Sequence, residues 1–139
     1  MTDHTARVGY RIETGVDPRE MIDVFRRSGL AERRPVQDVD RIRRMIRNAN
    51  LIVGARAGER LVGIARALTD FSYCCYLSDL AVDHAWQGRG IGRELVRRVH
   101  EAAGEETTLL LLAAPGADDF YRQIGLVKFD NTWGARRTR

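Results

Sequence analysis

The chain is poor in the residues that would give it the simplest identities. Cysteine occurs only twice, at the adjacent positions Cys74 and Cys75. Neighbours on an extended strand point to opposite faces, so these two are poor disulfide partners for each other, and they read as reduced filler residues. With no Cys-x-x-Cys spacing and three scattered histidines, the chain offers no metal motif. No apolar run approaches the roughly 20 residues that a membrane span requires, so no membrane partner is expected. The polar start Met1-Thr2-Asp3-His4 lacks the apolar core of a secretion signal, which makes the cytoplasm the expected location. Lysine is nearly absent as well: Lys128 is the exception among 23 basic residues, the rest being arginine.

What is present suits one soluble domain over residues 1–139. Hydrophobic residues make up 44% and charged residues 30%, ordinary for a globular chain long enough to enclose a core. The net charge of +4 suits an anionic ligand and equally suits nucleic acid. Val8, Tyr10 and Ile12 alternate as in a half-buried strand. Asp17-Pro18 resembles a helix start, Met21, Ile22, Phe25 and Leu30 give that helix an apolar side, and Gly29 sits where it would stop. Asp38 or Asp40 opens a second helix with Val39, Ile42, Met45 and Ile46 on one face. A strand from Leu51, a hairpin turn at residues 57–60 and a returning strand over residues 61–68 follow. Residues 73–82 and 107–114 read as central strands, buried on both faces. Between them a helix runs from about Gly90 to Ala103, with Gly104 closing it. A short helix from Ala117-Asp118-Asp119 through Ile124, then strands over residues 126–130 and 133–138, complete the order β-α-α-β-β-β-α-β-α-β-β.

The most informative stretch is residues 80–93, Leu80 through Arg93. An apolar strand ends in a turn, and Gly88, Gly90 and Gly92 lead into an amphipathic helix. Glycines let the backbone approach a ligand closely, and the free N–H groups at a helix start attract anions. A dinucleotide-type Gly-x-Gly-x-x-Gly beginning at Gly88 fails at Arg93, and no Gly-Lys-Ser/Thr loop for a triphosphate is present. Gln87-x-x-Gly90-x-Gly92 does fit a known pattern. With Phe120-Tyr121-Arg122-Gln123-Ile124-Gly125-Leu126 as a second block, it resembles the GNAT superfamily of N-acetyltransferases. The order of elements matches that family across nearly the whole chain.

That resemblance implies an α/β (α+β) fold, a mixed, mostly antiparallel sheet flanked by helices, and an acetyl-CoA-dependent acyltransferase. It implies direct transfer of acetyl to a primary amine in a ternary complex. Backbone N–H groups from Gln87 through Arg93, Ile91 among them, would bind pyrophosphate, with Arg89, Arg93 or Arg122 adding charge-assisted bonds. Leu80, Ala81 and Val82 would pair with the pantetheine arm, and the amide near Leu80 would stabilise the oxyanion. Tyr121 would protonate the departing thiolate. The general base has no obvious candidate. Many family members place a glutamate on the central strand, and here that neighbourhood reads Cys75-Tyr76-Leu77-Ser78-Asp79. Asp79 is the catalytic candidate, with Tyr76 or Ser78 acting through water and Glu13 more remote; the other reading of Asp79 is that it caps a bulge or pairs with an arginine.

His84 and His100 read as turn and helix-surface residues. The Arg41, Arg43, Arg44 and Arg47 cluster reads as the solvated face of the second helix, or as a contact for an acidic acceptor. Nucleic acid is not expected as a partner, since no RNA-recognition or zinc-finger pattern accompanies the charge. A small-molecule amine is the expected acceptor. A protein acetyltransferase acting on an N-terminus or lysine, and a non-catalytic acetyl-CoA-binding regulator, are the alternatives. The resemblance also leaves a homodimer through the C-terminal strands open.

Overall fold

A computed structural model describes residues 7–139; the polar start at residues 1–4 lies outside the described residues. Strand β1 (Val8–Ile12) is followed by helix α1 (Pro18–Ser28), a 3-10 turn (Leu30–Arg33) and helix α2 (Val39–Asn48). Strands β2 (Leu51–Ala57), β3 (Arg60–Thr69) and β4 (Cys74–Val82) form a meander. A second 3-10 turn (His84–Trp86), helix α3 (Ile91–Ala103), strand β5 (Thr108–Leu110) and helix α4 (Asp118–Gln123) complete the elements. The five strands lie side by side in sequence order, antiparallel except for the parallel β4–β5 pair.

Local chemistry accounts for the helix boundaries. Asp17 accepts a hydrogen bond from the Arg19 amide at 2.8 Å, Pro18 occupies the first helical position, and Gly29 ends α1 at φ +90°. Asp38 caps α2 by accepting from the Arg41 amide at 3.0 Å. Leu95, Val96 and Val99 of α3 bury their side chains on one face of the sheet against Val53, Ala65 and Leu77. On the other face Met21, Val24, Phe25 and Ile42 from α1 and α2 pack on Ile52, Ile64 and Ala81. The sheet is thus covered on both sides, as the run of buried residues in β3 requires.

Strand β4 alternates in burial and yet presents apolar residues to both cores. The cause is a bulge: Asp79 opposes Arg66 and Leu77 opposes Ala67, so Ser78 has no counterpart on β3. Cys75 and Leu77 therefore face α3, whereas Ala81, beyond the bulge, faces α1 and α2. Cys74 is exposed and Cys75 buried, and both are free thiols, as opposite-facing neighbours would be. Burial pushes the Cys75 thiol above its usual value, and a Thr69 contact only partly opposes that.

The C-terminal third departs from the sequence reading. The strand expected over residues 107–114 forms only at Thr108–Leu110 and lies at the sheet edge, not its centre. Leu109 and Leu111 pack inward, but Leu110 and Leu112 are exposed, so the four leucines reflect one buried face, not two. The strands expected at 126–130 and 133–138 do not form; Leu126 donates to the Tyr121 carbonyl at 3.0 Å, and Val127, Phe129 and Trp133 stand exposed. Alternating apolar residues need a pairing edge to become a strand, and these residues pair with none.

The β1–β2 edge is held by a buried ion cluster. Arg56 donates to Glu13 Oε1 and to Glu20 Oε2, each at 2.8 Å, and Arg11 reaches Glu13 from outside at 2.9 Å. Gly54 makes room for the Glu13 side chain, because a Cβ there would stand 2.9 Å from Glu13 Cγ. Gly54→Ala is accordingly expected to destabilise the fold by about 1–3 kcal/mol, the usual range for an overpacked interior. A thermal melt unchanged from wild type would contradict this packing.

Candidate functional site

Pairing between β4 and β5 stops at Tyr76–Leu110, so the chain beyond β5 diverges from β4 just before the bulge. The edge of β4 from Leu77 to Val82 faces away from β3 without a neighbouring strand. A cleft of about 960 Å³ opens there. It is walled by Leu80, Ala81 and Val82 of β4, by Gly88, Gly90 and Gly92, by Phe120 and Tyr121, and by Leu30, Glu32 and Arg33. Of the residues expected to bind the donor, all but Arg89 and Arg122 line this one cavity, although they come from separate segments of the chain.

The turn after β4 is built from inside. Asp83 caps the 3-10 turn by accepting from the Ala85 amide at 2.9 Å, and Trp86 is buried beneath it. The Gln87 side chain donates to the Val82 carbonyl at 3.0 Å, latching the turn to the strand end. Gly88 and Gly90 adopt φ of +80° and +82°, a left-handed region costly for other residues. A Cβ at either would meet nothing within 4 Å, so the backbone there is open to a ligand. Gly90 caps α3 without a side-chain hydrogen bond, which leaves the first amides of a 13-residue helix directed at the cleft. Gly92 serves a different purpose: a Cβ there would stand 3.0 Å from the Phe120 ring, so this glycine lets α4 pack on the start of α3.

The three arginines expected at phosphate have distinct surroundings. Arg89 stacks over the Trp86 ring at 5.0 Å. Arg93 donates to the Gln123 carbonyl at 3.0 Å and so ties α3 to the end of α4. Arg122 faces Asp119 at 3.4 Å, exposed. Arg93 and Arg122 thus have partners within the fold, and the turn is most open at the backbone of Gly88 and Gly90.

Tyr121 is half-buried in the cleft wall, its ring edge-on to Phe120 at 5.1 Å. Burial pushes its phenol above 10.0, and the nearby Arg34 guanidinium opposes that rise. The phenol is therefore protonated throughout the neutral range and able to act as an acid.

The carboxylates fare differently. Asp79, with a side chain 0% exposed, accepts from Arg34 Nε at 2.6 Å and from Arg66 Nε. Both oxygens are engaged by guanidinium groups, which favour the ionised carboxylate and tie Asp79 into the fold. Burial alone would raise the Glu13 carboxyl, but hydrogen bonds from Arg56 and Arg11 outweigh it and hold the group below its usual value. Ser78 Oγ accepts from Arg66 at 2.9 Å, and Tyr76 stands partly exposed at the mouth of the diverging strands. His84 is exposed in its turn, and His100 shares a hydrogen bond with the Thr107 carbonyl at 2.9 Å. On α2, Arg43 pairs with Asp40 at 2.7 Å and Arg41 meets the Arg139 carbonyl at 3.2 Å.

Sequence reasoning missed Arg34 and Arg66, and with them the wall at residues 30–33. A signal existed for Arg66. An arginine amid Leu61–Leu68 and an aspartate at the end of an apolar strand are the two halves of a buried ion pair.

A strand edge left open by a diverging neighbour, beside a glycine turn and a helix start without a side-chain cap, is geometry suited to an extended, anionic ligand. The protein's family follows from comparison. The family described as the acetyltransferase (GNAT) domain matches residues 22–136, and the chain belongs to that family. An uncharacterized N-acetyltransferase, ycf52, of Porphyra purpurea is 32% identical over 83 residues, covering 57% of this chain and 47% of that protein. Serotonin N-acetyltransferase 2, chloroplastic, of Oryza sativa subsp. japonica is 30% identical over 122 residues, covering 83% and 58%. The chain spans about half the length of the curated relatives it matches. The aminoglycoside N-acetyltransferase AAC(6')-Iy, solved in complex with CoA, shares the fold with a TM-score of 0.73 at 13% identity, covering 100% of both chains.

Proposed function

We propose that the protein transfers acetyl from acetyl-CoA to a primary amine of a small molecule, by direct attack within a ternary complex. The observation that carries this reading is the single cleft joining the open edge at Leu80–Val82, the turn at residues 87–93 and the Tyr121 phenol. The residues fit such a donor. The open turn and uncapped amides suit a pyrophosphate, and a bare strand edge suits the amides of a pantetheine arm. The GNAT assignment and the CoA complex of a structural neighbour support the same donor.

In the proposed reaction the amine lone pair forms the C–N bond at the thioester carbonyl. The Leu80 amide donates to the oxygen as negative charge develops on it. The C–S bond then breaks, and Tyr121 delivers its proton to the departing sulfur. The amine gives up its proton to water, and the Tyr121 phenolate regains one from solvent before the next turnover. With Asp79 and Glu13 each engaged by two arginines, no carboxylate is assigned as base.

Two measurements test this. Release of free CoA thiol should accompany acetylation of a simple amine; serotonin and an aminoglycoside are suitable probes because the rice relative and the structural neighbour bear those names. A thermal shift with acetyl-CoA but no thiol release from any amine would favour the non-catalytic binder instead. With water as proton acceptor, kcat/KM for the amine should climb tenfold per pH unit up to the amine's own pKa. A plateau beginning near pH 6 would instead reveal a protein base and contradict the assignment.

A further inference from the structure

The bulge in β4 is gripped by two arginines, which bond the Ser78 carbonyl, Ser78 Oγ and both Asp79 oxygens. Arg34 lies just past the 3-10 turn that forms the cleft wall. Its Nη2 donates to the Ser78 carbonyl at 2.7 Å and its Nε to Asp79 Oδ1 at 2.6 Å. Its Nη1 donates to the Arg33 carbonyl at 2.8 Å, back onto the wall itself. From the other side Arg66 takes Asp79 Oδ2 and, at 2.9 Å, Ser78 Oγ, while its remaining nitrogen reaches the Met45 carbonyl at 3.4 Å.

The bulge has a directional consequence for the strand. A one-residue insertion reverses which way each later N–H and side chain points, so Ser78 decides the orientation of every group from Leu80 onward. The side chains bear this out: Leu77 faces α3, Ala81 faces α1 and α2, and Leu80 and Val82 again pack towards α3. Bulges relax readily when unsupported, because the unpaired residue has no ladder bond of its own. Here the support comes from one side chain outside the sheet, Arg34, and one within it, Arg66.

We propose that Arg34 is a positioning residue for acetyl transfer: by clamping the Ser78 carbonyl and Asp79, it fixes the direction of the Leu80 amide and couples the Leu30–Arg33 wall to the strand below. This rests on the transferase reading above. Arginine suits the task because its planar fork reaches a carbonyl and a carboxylate together, which a lysine ammonium does with less fixed geometry. The same guanidinium lies close enough to Tyr121 to counter the rise that burial imposes on the phenol. Thus one group touches the support of the oxyanion donor, the cleft wall and the surroundings of the acid, while the pyrophosphate turn is held separately by Gln87, Asp83 and Trp86.

The test compares wild type, R34Q, R34K and, as a stability control remote from the cleft, Gly54→Ala. Turnover of acetyl-CoA with serotonin or an aminoglycoside is measured beside CoA affinity and amide hydrogen exchange over residues 77–81. R34Q should lose kcat by about tenfold or more, the scale of a misplacement near the reacting atoms, with CoA affinity within about twofold of wild type. R34K should fall between the two, and exchange over residues 77–81 should quicken in R34Q but not in Gly54→Ala. A folded R34Q with wild-type kcat, or with unchanged exchange at those residues, overturns the proposal while leaving the transferase reading intact. Should R34Q not fold, a folded R34K with wild-type kcat overturns it equally. A wild type that releases no thiol with any amine overturns the transferase reading and this proposal together.

Discussion

Replacing Tyr121 by phenylalanine is expected to lower kcat by about 10²–10⁴-fold, the usual worth of a positioned general acid, while acetyl-CoA affinity stays near wild type. The substitution removes one hydroxyl and keeps the ring that packs edge-on to Phe120 and lines the cleft, so neither the wall nor α4 should move. Thermal stability should therefore be unchanged. The pH dependence has a definite sign. Burial raises the phenol above 10.0, and an acid works only while protonated, so no loss of kcat from this group should appear below about pH 10. A thioester with a better leaving group should rescue the variant in part, because a less basic thiolate needs less help from a proton. Wild-type turnover in Tyr121→Phe would remove the phenol from the mechanism, and with it the main chemical reason for placing α4 beside the strand edge.

The turn at the start of α3 was legible in the sequence because it is local. Gln87, Gly88 and Gly90 lie within one turn, and their backbone geometry follows from residue type: left-handed φ at two glycines and a helix start without a cap. Gly92 was legible as a required glycine but not in its role, since the Phe120 ring that fills its missing Cβ lies far along the chain. Asp79 kept two readings, a base or the partner of an arginine at a bulge, for the same kind of reason. A lone aspartate near a site suggests a base, and only the fold brings Arg34 from one connection and Arg66 from the adjoining strand onto its two oxygens. The expected strands over residues 126–130 and 133–138 failed on a matter of partnership. Alternation specifies which face would be buried, but a strand also needs a free edge in register, and periodicity carries no information about that. A bulge near Asp79 could be raised from the sequence but not placed at Ser78, since it is a mismatch between two strands and has no signature in either alone.

Arg56→Ala is expected to be the most destabilising single change on the β1–β2 side, at about 3–5 kcal/mol, because it leaves a buried carboxylate without its principal partner. The Glu13 side chain is only 4% exposed, and Arg11, its remaining partner, is 57% exposed and correspondingly weak. Arg56 also holds Glu20 of α1 and the Glu59 carbonyl at the hairpin, so its loss should loosen the packing of α1 on the sheet edge. The pH dependence distinguishes this from a simple packing defect. In the wild type Glu13 titrates below its ordinary 4.5 when folded, so its contribution is fully present above that value and is lost as pH falls through the folded pKa. Without Arg56 the desolvation that already opposes ionisation is less well countered, and the folded pKa rises towards or past the unfolded one. The variant should therefore lose less stability on acidification than the wild type does, and the gap between them should narrow from pH 7 to pH 4. Urea melts at the two pH values measure that gap directly. An Arg56→Met, Glu13→Leu pair should recover much of the loss, since it removes both charges and keeps the volume. If the gap stays constant with pH, the cost of Arg56→Ala lies in lost packing, and Glu13 is not the charge that Arg56 holds in place.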